Sequence, residues 1–188
     1  GLVSIMDGIR RIQAEKVPHC RIEIVFTVSE ELGLKGAAAF DKSKLQSKIG
    51  FAFDSPGRIG RITHAATSKA ILTFEAFGKS AHAGNDPQNG ISAVTAAVKV
   101  LARVKDGKLE GTGAANYSTF KADCHPVVIN DYAFVKGVIF NGNHQALIDY
   151  LDELQRICNE VASETGATFK INNQVQYVAF EIDKNAVS

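Results

Sequence analysis

Cysteine is scarce in this sequence, and its spacing excludes two common uses of the residue. The three cysteines, Cys20, Cys124 and Cys158, lie far apart and are odd in number. They form neither a C-x-x-C pair nor the even, closely spaced set of a disulfide-stabilised secreted domain. The cysteine content therefore predicts a protein of a reducing compartment.

The sequence also lacks an excess of charge of one sign and a long hydrophobic run. Its formal net charge is +1 at pH 7, and it has no basic tract, so neither nucleic acid nor an anionic membrane surface is predicted as a partner. No apolar run approaches the roughly 18 residues that can cross a bilayer. A signal-peptide pattern and internal repeats are missing as well. We expect a cytoplasmic protein.

Apolar residues, in contrast, are plentiful enough for a sizeable core, at 45% of 188 residues. A chain of this length forms one large or two small domains. Residues 1–16 have apolar side chains at helical spacing, but no cap or entry loop precedes them. Residues 175–183 predict a strand that ends shortly before Ser188. We expect a piece of a longer protein; the alternative is a natural short helix with a frayed start.

Two apolar segments in the first third of the chain predict a parallel β-α-β unit. Residues 21–28 and 48–54 are predicted to be buried strands, with a short helix between them. Elements of these lengths in this order are typical of a parallel sheet. Functional residues cluster at the carboxyl ends of such strands. Glu30, Glu31 and Asp54 follow the two strands and are therefore expected to converge.

From about residue 68 the pattern changes to the order β-α-β-β-α-β, that of a ferredoxin-like domain. The boundary between the two patterns is predicted within 63–67. The predicted elements are strands over 69–78, 114–121, 131–140 and 168–180, with helices over 90–104 and 144–166. The fold class is therefore α/β in the first part and α+β in the second.

The adjacent carboxylates Glu30 and Glu31 allow two interpretations. With Thr27 as N-cap, the sequence from Thr27 to Glu30 fits a T-x-x-E capping box. Capping does not explain the second acid, or the glycines at Gly33 and Gly36 that follow it. Adjacent carboxylates repel each other, and a metal cation relieves the repulsion when one acid binds it while the other takes a proton from water.

Asp54 and His82 each have an ordinary and a functional interpretation. Asp54 ends an apolar segment and either begins an Asx-type turn or supplies a carboxylate ligand for zinc. His82 lies in a glycine-rich loop between a strand and a helix, where a lone histidine is usually an exposed bystander. Its small neighbours, among them Ala81 and Gly84, would let backbone or a ligand come close.

Three motifs together resemble one enzyme family. FTVSEELGLKGA (26–37) is similar to the F-T-x-x-E-E-x-G-x-x-G-A signature of the dinuclear-zinc exopeptidases and deacylases, which include peptidase T and aminoacylase. FAFDSPGRIG (51–60) resembles the segment with the next metal-binding acid of that family. GKSAHAGNDPQNGISAV (78–94) resembles the motif that opens the family's lid domain. The spacing is most similar to the peptidase T branch.

The resemblance implies a role for each candidate residue. Glu30 would be the general base, Glu31 a ligand of one zinc ion and Asp54 a ligand of the other. His82 would stabilise the oxyanion in the active site of a partner subunit. The substrate would be a small peptide or an N-acyl amino acid, and two zinc ions would activate the attacking water.

The same resemblance divides the chain into three parts. Residues 1–65 would be part of the catalytic α/β domain, 66–180 the ferredoxin-like lid and 181–188 a segment returning towards the catalytic domain. A homodimer through the lid is expected. Its predicted interface is the strand before His82 or the long helix over 144–166.

The sequence departs from the family in two respects. The H-x-D ligand pair and bridging Asp of the family precede the position of Gly1, and its last His ligand follows Ser188, so the isolated chain is expected to be inactive. In the lid, Val127 stands where an Asn is expected, and Phe140 replaces an Arg that grips the substrate carboxylate. The alternative function is a non-catalytic dimerisation or binding module derived from such an enzyme.

Overall fold

Residues 1–54 and 57–183 are described by the computed structural model, and they divide into two units. Unit 1 contains residues 1–64 and the chain from 182 onwards, and unit 2 contains residues 65–181. The turn predicted at 55–56 and most of the predicted returning segment, residues 184–188, lie outside the described residues.

Unit 1 is mainly irregular. Its helices are α1 (Leu2–Glu15), α2 (Lys35–Ala39) and a 3-10 helix (Lys42–Lys44). The predicted first helix is present, and its C-cap residue Lys16 has a left-handed φ of 52°. None of the residues of α1 is buried, and Val3 is 82% exposed.

The prediction of two strands in unit 1 is wrong for the described chain. Residues 21–28 and 48–54 form no β-ladder, and Phe26 and Phe51 are 51% and 66% exposed. Strand structure requires neighbouring backbone N–H and C=O groups as pairing partners. The described residues supply such partners to neither segment, so its apolar side chains remain exposed.

Unit 2 contains an antiparallel five-stranded sheet covered by two helices. The strand order is β3-β4-β5-β2-β6, and β1 and β7 form a separate two-stranded ladder. The order of the main elements confirms the ferredoxin-like prediction. The elements are β1 (Ala65–Ala66), β2 (Ser68–Phe77), a 3-10 helix (Pro87–Asn89), α3 (Ala93–Leu101), β3 (Gly107–Lys108), β4 (Ala114–Lys121), β5 (Tyr132–Asn141), α4 (His144–Thr165), β6 (Thr168–Tyr177) and β7 (Phe180–Glu181).

The pattern of buried residues explains why these elements form. Alternate residues of β2 are buried on the helix side of the sheet, as a strand with one face in the core requires. On α3 the buried residues follow helical spacing. The N-cap side chains of both helices accept backbone hydrogen bonds. Ser92 accepts one at the start of α3, and Asn143 accepts two at the start of α4. Gly166 ends α4 in the left-handed conformation that glycine adopts most easily.

The core of unit 2 lies between the sheet and its helices. Phe74 of β2, 1% exposed, packs edge-to-face against Phe169 of β6, with ring centroids 6.1 Å apart. Cys158 of α4 is fully buried, and burial raises the pKa of its thiol to about 12, so the thiol stays neutral. No helix in the described part of the chain is long and apolar enough to cross a membrane.

The position of β2 corrects one prediction about the dimer interface. The strand before His82 is β2, and it pairs with β5 on one side and β6 on the other. A strand with two neighbours has no free edge to offer a second subunit. The edges of the described sheet are β6 and, at the other end, β3 with the part of β4 beyond it.

Candidate functional site

Glu30 and Glu31 lie in a tight loop of unit 1, residues 28–36. The backbone N–H of Gly36 donates to the carbonyl oxygen of Val28 at 3.0 Å and closes the loop. A Cβ atom on Gly36 would lie 2.3 Å from that oxygen, so only glycine permits the approach. The two glycines of the motif thus contribute to a closed turn that presents two carboxylates.

Backbone strain is concentrated on either side of the two acids. Ser29 and Leu34 both have a φ of 59°, in the left-handed region that non-glycine residues avoid. Each such residue costs about 1–3 kcal/mol, and they cluster at functional sites. Gly33, with a φ of 89°, relieves the strain at the one intervening position that needs a positive φ.

The capping-box interpretation of Glu30 does not hold in this structure. Helix α2 begins at Lys35, well after Glu30, and its N-cap residue Leu34 has no side-chain capping hydrogen bond. Glu30 and Glu31 are both exposed. Within 1–54 and 57–183, no described hydrogen bond or ion pair engages either carboxylate. Both acids are therefore accessible to a ligand.

The described chain does not assemble a metal site by itself. Asp54 is exposed, and its predicted Asx-type turn falls on residues outside the described ranges. Among the described residues, no group of three or more His, Cys, Asp or Glu side chains could hold a metal ion. The donor set therefore does not fit zinc without further ligands, and the ligand roles of Glu31 and Asp54 stay predictions.

In unit 2, the backbone of the loop after β2 orients His82. Its Nδ1 accepts hydrogen bonds from the backbone N–H groups of Gly84 and Asn85, both at 3.1 Å. Because Nδ1 is the acceptor, the neutral ring carries its proton on Nε2. The side chain is exposed, and Nε2 has no partner among the described residues. The loop thus presents an N–H donor with a defined tautomer.

A second loop supports the His82 loop from the side. Ala83 N–H donates to the carbonyl oxygen of Val127 at 2.8 Å, and Ile129 N–H donates to that of Ala81 at 2.8 Å. Val127, 46% exposed, therefore lies beside His82, although sequence separates them by 45 positions. Phe140 does not lie beside the His82 loop, because it is near the end of β5, opposite the start of β2.

Sequence reasoning missed the amide groups of Gly84 and Asn85 as functional groups. The signal was the sequence H-x-G-N after His82, in which small residues allow the chain to turn back to the ring. The approach of Gly78 to Ile91 was also missed. Lys79 and Ile91 exchange two backbone hydrogen bonds of 2.9 Å that close the base of the loop.

Gly78→Ala is expected to destabilise unit 2 by about 1–3 kcal/mol, the usual cost of overpacking. The new Cβ would lie 2.0 Å from the backbone oxygen of Ile91, which cannot move without breaking the base of the loop. Gly84→Ala is the matched control, because its Cβ would meet only the His82 ring at 3.6 Å. Urea unfolding followed by circular dichroism measures both. Equal stabilities for the two variants would contradict the steric argument.

Residues 67–166, which include the His82 loop and four strands of the sheet, match the M20 peptidase dimerisation domain. This chain belongs to the M20 peptidase dimerisation domain family. The match covers most of unit 2 and confirms the resemblance inferred from the motifs.

The similarity of this chain to known proteins extends beyond residues 67–166 into unit 1. The YqjE protein of Bacillus subtilis is 30% identical over 181 residues, covering 96% of this chain and 49% of YqjE. Peptidase T of Haemophilus influenzae is 30% identical over 97 residues, 52% of this chain and 23% of that protein. The crystal structure of aminopeptidase PepT from Bacillus cereus matches with a TM-score of 0.91 and 30% identity, over 99% of this chain and 50% of PepT.

This chain spans about half the length of YqjE and of PepT. Its antiparallel sheet and helices have the fold of the corresponding part of the aminopeptidase. The α+β fold predicted from the sequence order is thereby confirmed. The description of the family, peptidase dimerisation domain, is consistent with homodimer formation.

Proposed function

We propose that this chain is part of a zinc-dependent exopeptidase of the peptidase T type, with residues 1–65 belonging to its catalytic domain and 66–180 to its lid. The observation that carries the proposal is the likeness to aminopeptidase PepT along 99% of the chain at 30% identity. Residues 1–65 are included in that likeness, so it is not confined to the dimerisation domain. The substrate in this proposal is a tripeptide or an N-acyl amino acid.

The acid-bearing loop supports the assignment of Glu30 as general base. A general base needs an accessible carboxylate held in position, and Glu30 lies in a loop closed by the hydrogen bond from Gly36 to Val28. Glu31, next to Glu30 in the sequence, and Asp54, farther along the chain, are proposed as two zinc ligands. Further ligands, from outside the described residues, would complete the zinc site. Zinc, when bound, supplies Lewis-acid polarisation of the scissile carbonyl.

The geometry of His82 supports its proposed role as an oxyanion donor. An oxyanion donor acts best when its orientation is set before the reaction. The amides of Gly84 and Asn85 set the ring orientation and leave Nε2–H as a donor. In the proposal, this N–H reaches the active site of a partner subunit and stabilises negative charge on the substrate oxygen.

A homodimer through unit 2 is part of the proposal. The outer edge of β4 beyond β3, residues 116–121, is a strand edge that no other described strand pairs with. It has no charged side chain before Lys121, and Phe120 on it is 41% exposed. Native edge strands that avoid association usually carry charges, so this edge is suited to antiparallel pairing with a second copy.

The alternative, a non-catalytic dimerisation module, draws support from Val127 and Phe140. Val127 offers no side-chain hydrogen bond beside His82, where the resemblance places an amide. The hydrophobic ring of Phe140 replaces an expected guanidinium. The retained residues Glu30, Glu31, Asp54 and His82 favour the peptidase instead, and we prefer it because four retained positions outweigh two lost ones.

The experiment is hydrolysis of a tripeptide by the longer polypeptide that contains this chain, purified and loaded with zinc. Release of the N-terminal amino acid, abolished by a chelator and restored by zinc, is the expected result. Residues 1–188 alone are the control and are expected to release nothing, because the described residues hold no complete metal site. A zinc-loaded longer polypeptide that cleaves neither tripeptides nor N-acyl amino acids would establish the module instead.

A further inference from the structure

The sequence contains two Asn-Gly pairs, Asn89-Gly90 and Asn141-Gly142. Such a pair is chemically labile, because glycine has no side chain to keep its backbone nitrogen away from the preceding side-chain amide. The glycine nitrogen attacks the Cγ atom of asparagine and forms a cyclic succinimide, while the side-chain nitrogen leaves as ammonia and takes the glycine amide proton with it. Water then opens the ring at either carbonyl carbon, which leaves aspartate or isoaspartate in place of asparagine.

The structure protects Asn141 from this reaction. The residue is 6% exposed and lies in β5, where it pairs with Ser68 of β2. Its Oδ1 accepts a hydrogen bond from the backbone N–H of Asn143 at 2.9 Å, and the N–H of Gly142 donates to Oγ1 of Thr112 at 3.0 Å. Attack on Asn141 therefore requires the end of a paired strand to open, and paired core strands are among the last parts of a fold to open.

Asn89, in contrast, is exposed and ends a 3-10 helix of three residues, Pro87–Asn89. The turn is closed by two backbone hydrogen bonds, from Asn89 N–H to the oxygen of Asp86 at 3.3 Å and from Gly90 N–H to that of Pro87 at 3.2 Å. Hydrogen bonds of this 3-10 type have poor geometry. Opening the second one frees the attacking nitrogen, and no strand of the sheet has to open with it.

Both residues of this labile pair have a structural function. A Cβ atom on Gly90 would lie 2.4 Å from Cδ1 of Ile129 and 3.0 Å from Cβ of Ala81, so a larger residue would overpack the contact between the two loops. The side chain of Asn89 donates from Nδ2 to Oδ1 of Asp86 at 2.6 Å. Exchanging either residue for a less reactive one removes a contact that the loop uses.

The products of the reaction act on His82 through Asp86. The N–H of Asp86 donates to the carbonyl oxygen of His82 at 2.9 Å, and its carboxylate accepts hydrogen bonds from Asn89 and Gln88. Aspartate at position 89 would lose its bond to this carboxylate and place a second negative charge beside it, and like charges repel. Isoaspartate would also lengthen the backbone of the turn. Either product is expected to loosen the loop whose amides orient the His82 ring.

We propose that Asn89 is a site of spontaneous deamidation and that its conversion releases the orientation of His82. The reaction consumes only water, and the opening of the Pro87–Asn89 turn sets its rate. The loop of an older molecule therefore loses the defined geometry of the Nε2–H donor. The consequence for hydrolysis, loss of an oxyanion donor, rests on the proposed function, whereas the modification itself does not.

Incubation of the 188-residue chain in mildly alkaline buffer, followed by mass spectrometry of its peptides, tests the site. The peptide with Asn89 is expected to gain the mass of an amide-to-acid conversion at least about tenfold faster than the peptide with Asn141, because a loop opens at lower cost than a paired strand. In urea, where neither residue is protected, the two rates are expected to be similar. Equal rates in the folded chain, or no conversion of Asn89, would overturn the proposal.

Variants test the effect on His82. Asn89→Asp reproduces one product and is expected to speed hydrogen exchange of the Gly84 and Asn85 amides, measured by NMR, about tenfold or more. Asn172→Asp adds the same charge at an exposed position of β6 and is expected to leave their exchange unchanged. Circular dichroism checks that each variant is folded. Unchanged exchange in folded Asn89→Asp would show that the conversion does not reach His82.

These measurements and the test of hydrolysis fail independently, since they use neither zinc nor substrate. Conversion of Asn89 with faster exchange in the His82 loop, in a polypeptide that cleaves no peptide, would refute the proposed function alone. Hydrolysis by a longer polypeptide whose Asn89 stays unconverted would refute the deamidation site alone.

Discussion

Replacing Glu30 by glutamine in the longer, zinc-loaded polypeptide is expected to lower kcat for tripeptide hydrolysis by about 10²–10⁴-fold, the usual contribution of a general base. Glutamine has the shape of glutamate but cannot accept the proton of the attacking water. The loop around it is closed by backbone hydrogen bonds, such as the one from Gly36 to Val28, which the substitution leaves in place. Steady-state kinetics measure the loss, and KM is expected to change little.

Two further variants make this result specific to Glu30. Glu15→Gln removes an exposed carboxylate of α1 whose partner is Arg11, 3.6 Å away, and is expected to leave kcat unchanged. Glu31→Gln is expected to lower the zinc content, measured by atomic emission, because Glu31 is a proposed ligand. Glu30→Gln is expected to retain its zinc. Full activity of Glu30→Gln, or loss of zinc from it, would show that Glu30 is not the base.

Replacing Phe74 by alanine is expected to lower the free energy of unfolding of unit 2 by about 3–5 kcal/mol. The ring is 1% exposed and packs edge-to-face against Phe169. Its removal leaves a cavity between β2 and the helices that the closely packed surroundings fill only in part. Urea unfolding of the 188-residue chain, followed by circular dichroism, measures the change.

Phe77→Ala is the control for this prediction, because the same side chain is removed from the same strand. Phe77 is 38% exposed and contacts Tyr132 at 5.5 Å between ring centroids. Its loss is expected to cost less than half as much, since less apolar area is returned to water and no closed cavity forms. Equal losses for Phe74→Ala and Phe77→Ala would show that the core lies elsewhere than between sheet and helices.

Unit 2 was predicted well because its partners in the sheet all lie within the chain. The alternation of apolar and polar residues in 69–78 predicted β2 to within a residue at each end, and the strand over 114–121 coincides with β4. The same reasoning failed for 21–28 and 48–54. Their composition is as apolar as that of β2, but a strand exists only when a neighbour pairs with its backbone, and composition carries no information about the neighbour.

Some features of the candidate site were likewise recognisable from sequence, and others required the tertiary structure. The E-E pair and the loop histidine were recognisable as local patterns, and so was the lid motif around His82. The capping box was equally recognisable, yet α2 begins five residues after Glu30 and the box does not form. The tautomer of His82 required the positions of two backbone amides, which a motif does not specify.

Sequence by itself determined the order of elements in unit 2 and the family, because these depend on side-chain type and short-range spacing. It also predicted Glu30, Glu31, Asp54 and His82 as the candidate site residues. Tertiary structure alone decided that β2 is central, that Val127 lies beside the His82 loop and that Lys69 lies between Phe140 and Tyr177. The central position of β2 depends on strand order, and the position of Val127 depends on contacts between loops. The position of Lys69 depends on strand register and on one bulged residue. Each of these arrangements joins residues that are distant in sequence, so no local pattern encodes them.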